Sequence, residues 1–331
     1  MKSTTPKVSI IVPVYNAGIY FAKCMDTLVN QTLREIEIIL VIDCPTDETD
    51  KIAKEYAAKD NRILIIENKI NLHIGNSRNK GIEAARGEYI GFSDHDDYRE
   101  PAMYEGLYQE AKKNDSDLVL GSNIYLGNDH KTTHVPSNLN ENELKEFALT
   151  DLLLGGDDQT LTPVFANIHP NIYKSSFLKK NNLSFVDTKV VTPEDRIFQT
   201  MCLVCADKVK YNSNSYYFHL LHNESAVNLP EYKECAKRAK GKNIIYEHLL
   251  AYNIYDKYEE YFLRSVKKEF SNCLINLFIN EKKLSKLIKV ATHLKSYPFT
   301  RKAFRSVSYS TRYYRLGGKI SRFIIAQWMK L

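Results

Sequence analysis

The chain has 331 residues, 44% of them hydrophobic, and its 46 Lys and Arg against 40 Asp and Glu give a formal charge of +6. This supplies enough apolar material for a catalytic core with an appended region and excludes a disordered chain. No uninterrupted run of about 18 apolar residues occurs, which excludes a conventional membrane span. No apolar stretch follows Met1-Lys2-Ser3, so no signal peptide is expected.

From the N-terminus, apolar runs alternate with amphipathic ones. Val8 to Val14 reads as a strand, and Pro13-Val14-Tyr15-Asn16 at its end leads into a helix expected near Ala17 to Asn30. Glu37 to Ile42 is a second strand, closing on Asp43-Cys44-Pro45-Thr46-Asp47. A third, Ile63 to Ile66, precedes a polar turn and a helix over Gly75 to Arg86; Tyr89 to Phe92 is a fourth, with the next helix starting near Pro101. This rhythm predicts an α/β fold with a mostly parallel sheet flanked by helices. Ligands of open α/β sheets sit outside the carboxyl ends of the strands, where Tyr15, Asp43 and Asp94 all fall. Neither GxGxxG nor GxxxxGK[ST] is present, so neither a dinucleotide fingerprint nor a P-loop explains a nucleotide site.

The fourth strand ends in Asp94-His95-Asp96-Asp97. Three carboxylates within four residues repel one another unless a cation lies between them, and hard oxygens point to Mg²⁺ or Mn²⁺ carrying an anionic ligand such as a diphosphate. The alternative is a solvated acidic turn whose first Asp caps the following helix.

Together these landmarks resemble the GT-A-fold family 2 inverting glycosyltransferases of the bacterial surface-polysaccharide type. The resemblance rests on VSIIVPVYNA (8–17), LVNQT (28–32), LVIDCPTDET (40–49), NSRNKGIEAARGEYIGFSDHDD (76–97) and Pro101. It is specific through about residue 125, looser from about 160 to 225, and carries no motif beyond 230. It implies a GT-A, Rossmann-like sheet with helices, plus a helical C-terminal region. It also implies a UDP-sugar donor, with Pro13 and Tyr15 cradling the uracil, Asp43 bonding the base and Arg78 lying against base or diphosphate. Asp94 would face ribose and metal, with Asp96 on the Mn²⁺ or Mg²⁺ and Asp97 on the metal or the donor sugar. Ile42 and Ser77 depart from the family pattern, at the first Asp of DDGSTD and the Ala of ARN.

Two later segments extend the resemblance. Thr192-Pro193-Glu194-Asp195-Arg196-Ile197-Phe198 resembles E-D-x-x-F at a helix start, which implies Asp195 as general base and Glu194 as a partner for acceptor or sugar hydroxyls. Acids at that place also complement a helix dipole. Tyr216 to Ser225 resembles an aromatic strand followed by His-x-x-Ser, which implies His222 as a metal ligand, with His219 the alternative one register earlier. Asn171 to Lys174 resembles a segment lining the site, which adds Lys174; a solvated Lys at a helix start is the other reading.

Charge separates the C-terminal end. Residues 282 to 331 hold 13 Lys or Arg and no acid, which leaves residues 1–281 at −7. Ile320, Phe323, Ile324, Trp328 and Leu331 can share one helical face, the pattern of a basic amphipathic membrane-surface helix; a lid packed on the catalytic domain is the alternative. The divisions expected are a catalytic domain over 1–228, split into a nucleotide-sugar half (1–125) and an acceptor half (126–228), a helical domain over 229–298, and a basic aromatic tail over 299–331. Residues 123–142 read as a polar, strand-poor loop, and Gly155 to Asp158 as an acceptor loop or plain turn. Six cysteines without a paired framework, Cys202 and Cys205 included, read as free thiols. The expected partners are a UDP-sugar and a lipid-linked glycan acceptor at the inner face of the cell membrane, with a cytoplasmic, peripheral location and no nucleic acid, since no RNA or DNA module surrounds the tail. A nucleotidyltransferase would need a glycine-rich triphosphate loop after the first strand, and a silent nucleotide-sugar-binding scaffold would have no need of Asp94, Asp96, Asp97, Glu194 and Asp195.

Overall fold

The computed structural model describes residues 5–126, 131–132, 139–154, 165–220, 232–281 and 284–306. The chain divides into two compact units: one of Met1–Ala148, Val164–Lys189 and Glu194–Ser225, the other of Leu149–Pro163, Val190–Pro193 and Ala226–Leu331.

The first unit is built on a mixed sheet of β1 (Val8–Val14), β2 (Ile36–Ile42), β3 (Ile63–Glu67), β4 (Tyr89–Phe92), β5 (Tyr98–Arg99), β6 (Leu118–Leu126), β7 (Lys131–Thr132), β8 (Ile172–Lys174) and β9 (Val209–Leu220). Its order is β3-β2-β1-β4-β8-β6-β9-β5, with β7 on β6. The helices are α1 (Phe21–Val29), α2 (Thr49–Lys59), α3 (His73–Ala84), α4 (Met103–Asn114), the start of α5 (Glu141–Leu154), α6 (Ser175–Lys180) and α7 (Glu194–Cys205).

The sheet is parallel where the strand and helix alternation predicted it, from β3 to β4. Strands β1 and β2 are buried along their whole lengths, which is why they read as continuous apolar runs. Strand β3, at the edge, is only partly buried. Beyond β4 the direction changes: β8 runs antiparallel to both β4 and β6, while β6 and β9 are parallel. The expected loop from 123 begins as strand, because β6 continues pairing with β9 to Leu126 and takes β7 on its other side. Its polar residues belong to a sheet: Ser122 and Asn123 are buried.

The second unit contains α8 (Tyr232–Ala251), α9 (Tyr255–Glu281), α10 (Leu284–Lys295) and α11 (Thr300–Ser306). Phe299, 2% exposed, packs edge-on against Phe262 at 5.1 Å and also meets Tyr246 and Phe270. Lys302 pairs with Glu259 at 2.5 Å. Residues 299–306, expected as the start of a separate tail, therefore pack among these helices, because Phe299 completes their aromatic core. Residues 307–331 and the loop Gly155 to Asp158 lie outside the described residues. All six cysteines are free. Among the described residues, no helix is long and apolar enough to cross a membrane.

Candidate active site

A cleft of about 490 Å³ opens at the carboxyl ends of β1 and β2, lined by Pro13, Val14, Tyr15, Asp43, Asn71, His73, Ile74, Ser77, His95 and Thr188. The turns around it are tightly bent: Asn16, Cys44 and His73 hold φ values of 45°, 57° and 64°. Left-handed backbone costs an L-residue roughly 1–2 kcal/mol, so side-chain bonds must hold these turns. Asn16 Oδ1 accepts from the Thr46 amide at 2.7 Å.

Asp43 anchors the far wall. Its carboxylate accepts from the backbone amides of Leu72 (2.7 Å) and His73 (2.8 Å) and from Asn68 Nδ2 (2.8 Å). Asn68 also donates to Ser77 Oγ at 3.2 Å, joining the β3 loop to α3. At the start of α3, Gly75 permits a close approach that no other residue could: a Cβ there would lie 2.3 Å from the Val186 carbonyl oxygen. Its amide donates to Thr188 Oγ1 at 3.1 Å, which fixes that side of the cleft.

Beside the cleft, oxygens of Asp94, Asp96 and Asp97 lie within 4.8 Å of one another. Two of these acids are braced from behind. Asp94 Oδ1 accepts from Arg78 Nη2 at 3.1 Å and faces His169 Nε2 at 3.1 Å, and its amide donates to Tyr217 Oη at 3.0 Å. His169 Nε2 also lies 3.3 Å from Arg78 Nη2. His169 Nε2 thus lies between a guanidinium, which only donates, and a carboxylate, which only accepts. Burial pushes the His169 pKa down, but the Asp94 carboxylate more than reverses this and raises it. Burial likewise opposes charge on Asp94, yet His169 and Arg78 hold its carboxyl well below the usual range. Asp97 accepts from His219 Nδ1 at 3.0 Å and from the Leu220 amide at 2.9 Å.

Arg78, 2% exposed, is the hub. Its Nη1 donates to Glu194 Oε1 at 2.8 Å while Nη2 holds Asp94. It sits over the Phe185 ring at 5.2 Å, and that ring stacks on Phe198 at 4.0 Å. The guanidinium thus has an aromatic floor and carboxylates at its edge. Glu194 opens α7; burial and the neighbouring Asp195 push its carboxyl pKa up against the pull of Arg78. Asp195, half-buried, accepts the Arg196 amide on Oδ1 at 2.7 Å.

The structure brings Pro13, Tyr15 and Asp43 to the cleft and joins Arg78, Asp94 and Glu194 in one network. It does not bring Lys174 there. Lys174 pairs in register with Tyr89, at the amino end of β4, and its Nζ is held by Asp115 at 2.5 Å. Because β8 runs backwards along β4, its residue 174 is carried away from the site and residue 169 toward it. His169 is the residue that sequence reasoning missed; its signal was its place just before a strand that reverses direction. His219, the alternative metal ligand, has Nδ1 on Asp97 and Nε2 3.1 Å from the Asn123 side chain, so it braces a carboxylate. His222 lies outside the described residues. Asn71, His73 and Thr188 are further cleft residues that no motif marked, and Ser77 and His95 lie within quoted motifs but had no role assigned to them.

A nucleotide-sized cleft beside an acidic cluster on this sheet is the arrangement of the GT-A fold. Among solved structures, S. aureus TarS 1–349 in complex with UDP-GlcNAc aligns over 98% of this chain and 88% of that one, with TM-score 0.68 and 22% identity. Residues 9–177 match the family described as glycosyl transferase family 2. The uncharacterized glycosyltransferase EpsJ of Bacillus subtilis is 35% identical over 73% of this chain and 70% of its own length. The poly(ribitol-phosphate) beta-glucosyltransferase of Bacillus spizizenii is 31% identical over 66% of this chain and 33% of its own. The chain belongs to glycosyl transferase family 2.

Proposed function

We propose that this protein is an inverting glycosyltransferase that moves a hexose or N-acetylhexosamine from a UDP-sugar to a hydroxyl of a lipid-linked surface glycan. The observation that carries the reading is the double hold of Arg78 on Asp94 and Glu194, which ties the carboxylates beside the cleft to the start of α7. Family membership and the UDP-GlcNAc complex of TarS support the donor class; the name of the poly(ribitol-phosphate) glucosyltransferase supports the acceptor class.

The three aspartates form a hard-oxygen set that fits Mn²⁺ or Mg²⁺, which favour carboxylates together with phosphate oxygens. Asp94, Asp96 and Asp97 would hold the ion, and the chemistry it supplies is neutralisation of charge on the departing diphosphate. The protein's own groups do the rest. Asp43, Pro13 and Tyr15 hold the base, and Arg78 keeps the Asp94 and Glu194 carboxylates in place. Asp195 takes the proton of the acceptor hydroxyl as its oxygen bonds to the anomeric carbon, and the bond from that carbon to UDP breaks on the opposite face. The basic residues beyond 306, the rest of the expected tail, would hold the enzyme at the cytoplasmic membrane surface.

UDP release from a panel of UDP-sugars, with and without Mn²⁺, tests this reading alongside Asp195→Asn. Release from one sugar that requires metal and drops by about 10²-fold or more in the variant is expected of a lost general base. Full activity of Asp195→Asn would remove the base assignment, and absence of UDP binding would remove the donor.

A further inference from the structure

Arg99, 3% exposed, ties the two ends of the acidic turn together. One nitrogen makes most of the connection. Nη2 donates to the Asp97 carbonyl oxygen at 3.1 Å and to Ser93 Oγ at 2.6 Å, and the buried Ser93 hydroxyl gives its own proton to the Asp94 carbonyl oxygen at 2.8 Å. Nη1 reaches back to the Cys24 carbonyl oxygen on α1 at 3.4 Å, and Cys24 Sγ donates to that same Asp94 carbonyl at 3.4 Å. The guanidinium rests on the Tyr217 ring at 5.5 Å, and the hydroxyl of that ring accepts from the Asp94 amide. The pairing of β5 with β9 sets Arg99 opposite Tyr217 in register.

The partners of this guanidinium are two carbonyls, a hydroxyl and a thiol; among the described residues no carboxylate bonds to it. Burying a charge among neutral groups costs stability, and an apolar side chain of similar volume would serve the core at least as well. The reason for an arginine here lies in the turn it holds. Carboxylates that share one cation must keep a set separation, and that separation follows the backbone from Asp94 to Asp97. A planar fork with donors at fixed angles holds both ends of that backbone at once. Arginine keeps its proton in proteins, so the clamp depends on no protonation state.

We propose that Arg99 is a positioning residue that fixes the spacing of Asp94 and Asp97 for a divalent cation. It acts through Ser93 and the backbone and touches neither the ion nor the donor. The assignment rests on the metal-assisted UDP-sugar reading of the site.

Calorimetric titration of the full chain with UDP, once with Mn²⁺ and once with EDTA, tests it on the natural protein, Arg99→Lys and Ser93→Ala. The ratio of the two affinities isolates the share that metal contributes. Arg99→Lys keeps the charge, so the attraction felt by the cation is preserved while the fork is lost. Ser93→Ala keeps the arginine and cuts only the link to the Asp94 end. Partners one step behind metal ligands are worth about 10- to 100-fold in metal affinity, and a clamp on the backbone belongs at the lower end. The ratio should therefore fall about 10-fold in Arg99→Lys and by a smaller factor in Ser93→Ala, with the affinity in EDTA kept in both. If the affinities with and without metal fall together, Arg99 only supports the fold and the proposal fails. If Arg99→Lys does not fold, Ser93→Ala decides, and an unchanged ratio there overturns the proposal. A ratio near one in the natural protein removes the metal reading, and no UDP binding at all removes the donor reading; either takes the proposal with it and is distinct from a normal ratio that the variants leave intact.

Discussion

Glu194 Oε1 accepts from Arg78 Nη1 at 2.8 Å across 116 positions of sequence. The other terminal nitrogen of the same guanidinium holds Asp94, so a side chain buried to 2% exposure carries the charge balance for two acids. Arg78→Met keeps the volume and removes that balance. Breaking a buried pair from one side costs about 3–5 kcal/mol, because the partner charge is left uncompensated. Urea denaturation should show a loss of this size, and an unchanged midpoint would mean the acids find other partners.

His169 gives the fold a pH dependence. Its pKa is raised in the folded protein above the ordinary 6.5, so the folded state binds the proton more tightly than the unfolded chain does. Stability from this group is fully present below pH 6.5 and is lost as pH rises through the folded value. Subtracting the His169→Gln melting curve from that of the natural protein should leave a difference that shrinks with rising pH above 6.5. A difference that grows would reverse the sign of the His169 and Asp94 coupling.

Lys174→Ala should leave donor turnover unchanged. The side chain lies at the amino end of β4 in an ion pair with the exposed Asp115, far along the strand from the acidic cluster. A large loss of turnover in this variant would contradict the strand register described here.

Gly75→Ala tests the close approach at the start of α3. The added Cβ would meet a backbone carbonyl at 2.3 Å, which cannot rotate aside. Overpacking of this kind costs about 1–3 kcal/mol, and the shift of Thr188 should also weaken UDP binding. Loss of stability with full UDP affinity would show that Thr188 is not needed as a wall.

The first half of the fold was legible because parallel strands buried on both faces leave continuous apolar runs, as Val8–Val14 does, and because the residues that end β1 and β2 gather at the cleft. Pro13, Tyr15, Asp43 and the Asp94 to Asp97 turn could be read for that reason. The second half depends on strand direction, which local pattern does not encode. Nothing within Asn171 to Lys174 says that it runs antiparallel to β4, so Lys174 was assigned to the site and His169 passed over; one reversal accounts for both. The aromatic core around Phe299 was likewise hidden, since its partners Tyr246 and Phe262 lie more than a helix away in sequence.

The bond from the Asp94 amide to Tyr217 Oη closes a span of 123 positions, and β6 pairs with β9 over a comparable distance. Contacts this remote are entropically expensive to close and slow to form. A nascent chain can complete β1 to β4, and with them Asp43 and the acidic turn, well before Tyr217 and His219 have left the ribosome. Until they arrive, Asp97 lacks both of its bonds and the Asp94 amide lacks Tyr217, so the acidic turn is fully fixed only when the first unit has finished folding.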